Sequence, residues 1–441
     1  MNAATLLGSL LLAAVASHIP TWAFDEFNGE GARTPAAVVR HYLTFAEGGL
    51  GNDKAVQDCR HSGACSSVYY FDPSLVYDSP LCPYAAYREF LAQAAENWFV
   101  HLPGRDDAAG RVQGTYVQSC KGARVPVHVY AANQTNPAVR AFFAEYLRKN
   151  ADDFDFYEMD DTSDTLLTQF YGPGGGFCKL RGGNGYCTQT AEMAADADLV
   201  GAHMALANAL NHSNGSPMYF YYNGLSFTAR SPVIPPLLGN GSRFRGVICE
   251  NCVVNDGALR PAMYGKVLGA MARIDTIAGA AFVELSTGKS PDGSPAQVAQ
   301  RLVTTAVAWL GYADGHTIVW PNLEFTTHNL AVWPEDELVP TQPLQTMSDS
   351  PAGIAVAPGV WRREFAACYA GGAPIGPCAA VLNGSPAAVR VSAQWFRQHY
   401  GHVVTLDGGD APSGGTISLS RAAFSVGATE IPASQALLLV R

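Results

Sequence analysis

Acidic residues lie near the ends of several short apolar segments in this 441-residue chain. The segment FDFYEMD (154–160) is followed by a second aspartate, and the segment RGVICEN (245–251) places a glutamate between two cysteines. Carboxylates that share a cleft repel one another, so their burial is costly unless they are paired, protonated or used in chemistry. The residues concerned are Glu158, Asp160, Asp161, Glu250, Glu284 and Glu324.

Two carboxyl groups that face each other across a cleft are suited to the hydrolysis of a glycosidic bond. One protonates the leaving oxygen, and the other attacks the sugar or activates a water molecule. Asp160 or Asp161 on one segment and Glu250 on another are the candidate pair. A second interpretation stays open, in which Asp160, Asp161 and Asp164 only cap the next helix. The DxDxDG spacing of a calcium loop is absent, and we expect no metal here.

Aromatic and polar side chains near the same segment ends could contact a sugar, through ring stacking or through hydrogen bonds to hydroxyl groups. Tyr222 and Trp320 are aromatic candidates, but such rings also fill hydrophobic cores. Asn223 is a hydrogen-bonding candidate, although asparagine in YNG is also typical of a turn. His128 can equally be a hydrogen-bonded core residue. The candidate substrate-binding residues are Glu158, His128, Tyr222, Asn223, Glu284, Trp320 and Glu324.

Cys249 and Cys252 flank Glu250 in the motif CENC. A metal site would need two further ligands at a suitable spacing, and a redox CxxC is expected at the start of a helix rather than the end of a strand. We therefore expect a disulfide bond that fixes the backbone around Glu250. The other cysteines that are close in sequence are Cys59 with Cys65, Cys178 with Cys187, and Cys368 with Cys378, which leaves Cys82 and Cys120.

The acidic segments alternate with amphipathic stretches in which apolar residues recur every three or four positions. This alternation predicts strands and helices around a parallel sheet, and its length favours a (β/α)8 TIM barrel. The predicted strands lie at 67–72, 125–131, 154–160, 217–224, 245–251, 279–286 and 316–323, with an eighth at either 41–45 or 114–119. A doubly wound sheet is disfavoured, because the glycine-rich runs at 172–176 and 182–185 lie in a loop.

Both ends of the chain differ in pattern from the predicted barrel. Residues 1–23 contain an apolar stretch too short to span a bilayer, followed by small residues at Ala16 and Ala23, which predicts a signal peptide. After 340–353 the chain changes to short strands with Gly and Pro turns, which predicts a small antiparallel β-sandwich. We expect the signal peptide at 1–23, the barrel at 24–355 and the sandwich at 356–441.

Composition narrows the range of partners. The formal net charge is -10 at pH 7. No basic stripe or nucleic-acid-binding motif is present, so we expect no nucleic-acid partner. No apolar run of about 18 residues follows the predicted signal peptide, so we expect no membrane association after its cleavage.

The segments DFYEMDDTSD (155–164), YYNG (221–224), VICEN (247–251) and GVWRREFAACYA (359–370) resemble the secreted (β/α)8 glycoside hydrolases and glycoside-hydrolase-like families with a C-terminal β-sandwich. The resemblance covers most of the mature chain as architecture. It implies that Asp160 or Asp161 is the nucleophile or base, that Glu250 is the proton donor, and that the sandwich is a packing domain.

The resulting hypothesis is a secreted or periplasmic, monomeric glycoside hydrolase that needs no cofactor and acts on a polysaccharide or glycoconjugate. Two alternatives stay open. A non-catalytic carbohydrate-binding barrel would look much the same in sequence, and a thiol oxidoreductase would use Cys249 and Cys252.

Overall fold

The computed structural model describes most of the predicted strands and helices. The described residues are 22–25, 44–47, 66–80, 85–101, 105–120, 123–160, 201–223, 238, 241–250, 252–255, 257–277, 281–285, 294–312, 317–320, 335, 338–347, 350–370, 372–392, 399–406, 417–421 and 428–441. Asp161 and Glu324 lie outside these residues, as do the cysteines at positions 59, 65, 82, 178 and 187.

An eight-stranded parallel sheet carries the predicted acidic segments. Its strands, in spatial order, are β1 (Trp22–Asp25), β2 (Thr44–Glu47), β3 (Ser66–Phe71), β7 (Phe156–Met159), β8 (Phe220–Asn223), β9 (Phe244–Glu250), β12 (Ala281–Leu285) and β13 (Thr317–Trp320). Every neighbouring pair is parallel. The two outermost strands, β1 and β13, also contact each other. All eight carboxyl ends therefore lie at one edge of the sheet.

Most of the strand predictions are confirmed, and the choice for the eighth strand is resolved. The predicted strand at 41–45 overlaps β2, which belongs to the parallel sheet. The strand β1 was not predicted. Its first two residues, Trp22 and Ala23, fall within the predicted signal peptide, so cleavage after Ala23 would divide this strand whereas cleavage after Ala16 would leave it whole.

Two predicted strands belong to a different sheet. The strands β4 (Leu75–Asp78), β6 (Ala123–Ala131) and β5 (Gln113–Cys120) form a three-stranded antiparallel sheet that is inserted between β3 and β7. The prediction that 125–131 is a barrel strand was therefore wrong. Only residues 121 and 122 separate β5 from β6, and strands joined by so short a connection can pair only in the antiparallel direction.

Helices cover one face of the parallel sheet. They are α2 (Pro137–Asn150), α3 (Pro261–Asp275) and α4 (Pro295–Gly311), together with helical residues 201–209, while α1 (Ala85–Gln93) packs on β4 of the antiparallel sheet. Asn136 and Ser294 cap α2 and α4 by accepting backbone N–H bonds, and proline follows each cap. Phe71 of β3 packs on Phe143 of α2, with ring centroids 6.4 Å apart. Among the described residues, no helix is long and apolar enough to cross a membrane.

The carboxyl-terminal part of the chain is antiparallel, as predicted. A seven-stranded sheet contains β14 (Leu338–Pro343), β15 (Ala355–Ala357), β16 (Val360–Ala370), β17 (Ala373–Asn383), β19 (His402–Leu406), β20 (Ile417–Arg421) and β22 (Ala436–Val440). A separate pair consists of β18 (Val389–Ser392) and β21 (Ala428–Ile431). The predicted boundary between residues 355 and 356 falls after β14, the first strand of the larger sheet.

The larger antiparallel sheet packs on helix α4, and a buried arginine joins the two. Arg363 of β16 donates through Nη1 to the carbonyl oxygens of Leu310 (2.8 Å) and Tyr312 (2.7 Å) at the end of α4. Its Nε donates to the carbonyl oxygen of Gln345 at 3.1 Å. The last carbonyls of a helix have no partner within the helix, and a cation is favoured at that end. Arg363 supplies both the donors and the charge.

Replacing this arginine should weaken the contact between α4 and the larger antiparallel sheet. We expect Arg363→Met to lower the free energy of unfolding by about 2–4 kcal/mol, because buried carbonyl oxygens lose their donors. The matched control is Arg390→Met, because Arg390 is 78% exposed in its ion pair with Glu430. The control should change stability by less than about 0.5 kcal/mol. Urea unfolding measures both, and equal losses would contradict the assignment.

Candidate active site

The parallel sheet has a face that points away from the helices, which we call the inner face. Successive residues of a strand point to opposite sides, so every second residue of β3, β7, β8 and β9 shares this face. Phe156 and Tyr221 are in ring contact on it, with centroids 5.5 Å apart. Towards the carboxyl edge, the inner-face residues of the described strands are Tyr70, Glu158, Asp160, Tyr221, Asn223 and Ile248.

Strand register arranges these side chains in two rows. Tyr70 is paired with Glu158, and Glu158 is paired with Tyr221, which together form the lower row. Asn223 is paired with Ile248, and Asp160 follows Met159 of β7 at the same level, which defines the upper row. The sheet therefore places Glu158, Asp160 and Asn223 in neighbouring positions, together with Tyr70 and Tyr221.

A hydrogen bond between the rows fixes the position of Asp160. The Tyr70 hydroxyl donates to Asp160 Oδ2 at 2.6 Å, and the Asp160 backbone N–H donates to the carbonyl oxygen of Phe71 at 3.0 Å. A phenol that donates to a carboxylate forms one of the shorter and stronger protein hydrogen bonds. Asp160 is half-buried just beyond the end of β7, and its carboxylate is held by Tyr70 of β3.

The neighbouring inner-face residues are more deeply buried. Glu158 and Tyr221 are each 2% exposed, and Asn223 is 4% exposed. Burial raises the pKa of the Tyr221 phenol, against a smaller opposite effect of the charge on Arg245. Tyr221 therefore keeps its proton at neutral pH and can act as a hydrogen-bond donor. The inner face thus offers carboxylates, an amide and phenols within two adjacent rows.

The cysteine pair around Glu250 forms a disulfide bond, as predicted. Cys249 and Cys252 are joined, with their Cα atoms 5.7 Å apart. Cys249 is fully buried among the helix-facing core residues, and Cys252 is 3% exposed. Exchange with an external thiol would require this region to open, which disfavours the oxidoreductase alternative. Glu250 is the last residue of β9. Beyond Cys252, the strands β10 (Val254–Asn255) and β11 (Ala258–Leu259) form an antiparallel hairpin.

Register also locates the predicted residues on the next two strands. Glu250 is paired with Leu285 of β12, and Leu285 is paired with Trp320 of β13. Trp320 is therefore level with Glu250. Glu284 is instead paired with Cys249, one residue out of step with Glu250. This register position does not favour the predicted role of Glu284.

Two predicted binding residues lie elsewhere. Tyr222 is 2% exposed on the helix side of β8, where its ring centroid lies 5.8 Å from that of Phe244, and this position does not favour its predicted contact with a substrate. His128 lies on the antiparallel sheet, where its Nε2 is 3.0 Å from Gln113 Oε1 and its ring is 4.6 Å from that of Tyr130. It is a residue of the inserted sheet, not of the parallel one.

Tyr70 and Asp72 were not recognised as site residues from sequence. The alternation of SVYYFD places one of its two adjacent tyrosines on each face, but the sequence does not show which. Asp72 is fully buried, and its Oδ1 accepts the backbone N–H groups of Ser74 (2.7 Å) and Leu75 (2.9 Å). Asp72 therefore shapes the turn that leaves β3, next to the upper row.

A buried histidine supports the same turn. His203, in helical residues 201–209, is 1% exposed and its Nε2 lies 2.9 Å from the Ser74 hydroxyl. Burial lowers the pKa of His203 to about 3. His203 is therefore neutral in the folded protein at neutral and mildly acidic pH. Among the described residues, no group of three or more His, Cys, Asp or Glu side chains is arranged to hold a metal ion.

Comparisons with known proteins return structural likenesses only. No family model matches the chain, and no curated protein sequence matches it. The chain is similar to the glycoside hydrolase domain of PelA from Pseudomonas aeruginosa, at 12% identity over 69% of this chain and 94% of that chain, with a TM-score of 0.41. It is similar to Aspergillus fumigatus Ega3, solved in complex with galactosamine, at 13% identity over 70% and 94%, with a TM-score of 0.36.

A third likeness covers nearly the whole length of both chains. A GH30 endoxylanase from Clostridium papyrosolvens matches at 12% identity over 97% of this chain and 98% of that chain, with a TM-score of 0.37. The PelA domain and the GH30 endoxylanase are glycoside hydrolases by name. At these identities and TM-scores the likeness does not assign this chain to any of the three proteins' families.

The buried His203 should make stability depend on pH. The unfolded chain takes up a proton near pH 6.5 and the folded chain only near pH 3, so folding loses stability as pH falls between these values. We expect His203→Gln to reduce this loss by roughly 2–3 kcal/mol between pH 6.5 and 4.5. The variant His399→Gln, which alters an exposed histidine, serves as the control. The measurement is urea unfolding between pH 6.5 and 4.5. If the free energy of unfolding falls equally with pH in His203→Gln and in the wild type, the assignment is refuted.

Proposed function

We propose that this protein is a secreted or periplasmic glycoside hydrolase that cleaves a polysaccharide or glycoconjugate with Asp160 or Asp161 and Glu250. The observation that carries the proposal is the position of Asp160. Its carboxylate is held by Tyr70 at the carboxyl edge of a parallel sheet, and Glu250 ends another strand of that sheet at the same edge. The carboxyl edge is where α/β-barrel enzymes bind and convert their substrates.

The spacing of the strands suits a carboxylate pair. Asp160 follows β7, and Glu250 is the last residue of β9. Only the strand β8 lies between β7 and β9 in the sheet. With strands about 4.8 Å apart and a rise of about 3.3 Å per residue, their Cα atoms lie roughly 12 Å apart. An aspartate and a glutamate at this spacing can flank one glycosidic bond. Both the retaining separation of about 5–5.5 Å and the inverting one of about 6.5–9.5 Å are within their reach.

The proposed reaction assigns one task to each acid. Glu250 gives its proton to the glycosidic oxygen as the bond from that oxygen to the anomeric carbon breaks. The aspartate either forms a bond to the anomeric carbon or takes a proton from the water molecule that does so. Asp160 is favoured over Asp161 because Asp160 shares the inner face with Glu158 and is bonded to Tyr70. The proposal requires no cofactor.

The inner-face residues around Asp160 are the proposed sugar contacts. Glu158 and Asn223 offer acceptors and a donor for sugar hydroxyl groups, and Tyr221 replaces Tyr222 as the aromatic contact of β8. Trp320 is retained because its backbone is level with Glu250. Glu324 stays in the proposal as a sugar contact. His128 and Glu284 do not, because His128 lies on the inserted sheet and Glu284 is paired with the helix-facing residue Cys249.

The remaining predictions complete the proposal. The eight parallel strands and the contact between β1 and β13 support a closed (β/α)8 barrel. The antiparallel sheets after residue 338 support a C-terminal β-sandwich that packs on α4 through Arg363. The buried disulfide bonds support an oxidising compartment, and hence export by the predicted signal peptide at 1–23.

Removal of the acids tests the proposal directly. On a glycan that the wild type hydrolyses, we expect Asp160→Asn and Glu250→Gln each to lower kcat by about 10²–10⁴-fold, because each removes a proton-transfer or nucleophilic group. Matched controls are Asp153→Asn and Glu145→Gln, which alter exposed acids outside the site and should keep full activity. Asp161→Asn is measured alongside them. Full activity in all three site variants would rule out the carboxylate mechanism, and glycan binding without turnover would favour the binding-barrel alternative.

The disulfide bond should matter more for activity than for stability. Its closed loop is very short, so the entropic stabilisation is small, about 2 kcal/mol. Because the bond fixes the backbone on both sides of Glu250, we expect Cys249→Ser/Cys252→Ser to lower kcat/KM about tenfold or more. Hydrolysis and thermal unfolding are measured on the same samples. The Cys368→Ser/Cys378→Ser variant, which breaks the bond between β16 and β17, is the control and should lower stability without that loss of activity.

A further inference from the structure

The hydrogen bond from Tyr70 to Asp160 crosses from one strand to its neighbour and from the lower row to the upper row. Tyr70 is paired with Glu158, and Asp160 is two residues further along β7. Two residues of a strand rise about 6.6 Å. The tyrosine ring spans this rise, and its hydroxyl reaches Asp160 Oδ2 at 2.6 Å. The contact is therefore built by the register of β3 on β7 and not by a flexible surface side chain.

The chemistry of this bond distinguishes the two protonation states of the carboxyl group. A protonated phenol donates, and an ionised carboxylate accepts more strongly than a neutral carboxylic acid does. A donor that binds the charged form favours that form. A catalytic base or nucleophile must be ionised before the reaction begins, whereas a proton donor must be protonated.

We propose that Tyr70 is a positioning residue that keeps Asp160 ionised and fixed in orientation, which gives Asp160 the role of base or nucleophile and leaves Glu250 as the proton donor. This inference rests on the proposed function. Tyr70 keeps its proton throughout the reaction. As Asp160 forms its bond to the anomeric carbon or takes a proton from water, its negative charge falls and the bond from Tyr70 weakens, while the leaving oxygen receives its proton from Glu250.

The titration of Asp160 tests this role without any substrate. In protein labelled with ¹³C at the aspartate carboxyl carbons, the resonance that Asp160→Asn removes identifies Asp160. We expect Tyr70→Phe to move its titration midpoint to higher pH by about one unit, because the ionised form loses a donor. Site-specific 3-fluorotyrosine at position 70 keeps the ring and hydroxyl, and its more acidic phenol should move the midpoint to lower pH.

The matched control removes the same hydroxyl from the other face of the sheet. Tyr157 of β7 donates to the carbonyl oxygen of Ala151 at 2.6 Å on the helix side. Tyr157→Phe should therefore lower stability and leave the Asp160 midpoint in place. A midpoint that moves with neither Tyr70→Phe nor the fluorinated residue overturns the inference.

Kinetics separate this inference from the proposed function. On a glycan that the wild type hydrolyses, we expect Tyr70→Phe to lower kcat/KM about 10- to 100-fold and to move the acidic limb of the pH–rate profile to higher pH. Tyr157→Phe should keep that limb unchanged. An acidic limb that stays in place in Tyr70→Phe overturns the positioning role. Absence of hydrolysis by the wild type would refute the proposed function, and the titration of Asp160 would still decide whether Tyr70 controls its charge.

Discussion

The parallel register of β3, β7, β8 and β9 is the constraint on which the candidate site depends. Backbone pairing fixes which residues are level, and the two-residue period of a strand fixes which of them share a face. Tyr70, Glu158 and Tyr221 are level because their strands pair in this register. A shift of one residue in any of these strands would exchange the inner-face residues for the apolar helix-facing ones. Tight packing against the helices prevents such a shift.

Hydrophobic packing on the helix side therefore positions the polar side. Phe71, Tyr157 and Phe220 alternate with the inner-face residues and lie in one aromatic cluster, in which Tyr157 and Phe220 are 5.3 Å apart. The Cys249–Cys252 bond lies among these helix-facing core residues, and Glu250 is the next residue along the strand. The apolar face supplies the stability, so the polar side chains of the inner face need not stabilise the fold themselves.

The larger antiparallel sheet is anchored to the helix that follows β12. Its strands β17 and β22 pack on α4, and Arg363 completes the carboxyl end of that helix. Arg301, on the same helix, forms a buried two-bond ion pair with Glu335, just before the sheet begins. These contacts connect the sheet to the scaffold of the site.

Local periodicity and spacing predicted the parallel α/β class, most of its strands, the antiparallel carboxyl-terminal region and the disulfide bond at CENC. They also singled out Glu158 and Asp160, near the end of β7, and Asn223, which ends β8. The fold was needed to show that 125–131 pairs in an inserted antiparallel sheet, that Tyr221 rather than Tyr222 shares the face of Glu158, and that Tyr70 holds Asp160. Strand partners and register are long-range properties set by packing, and local sequence patterns do not encode them.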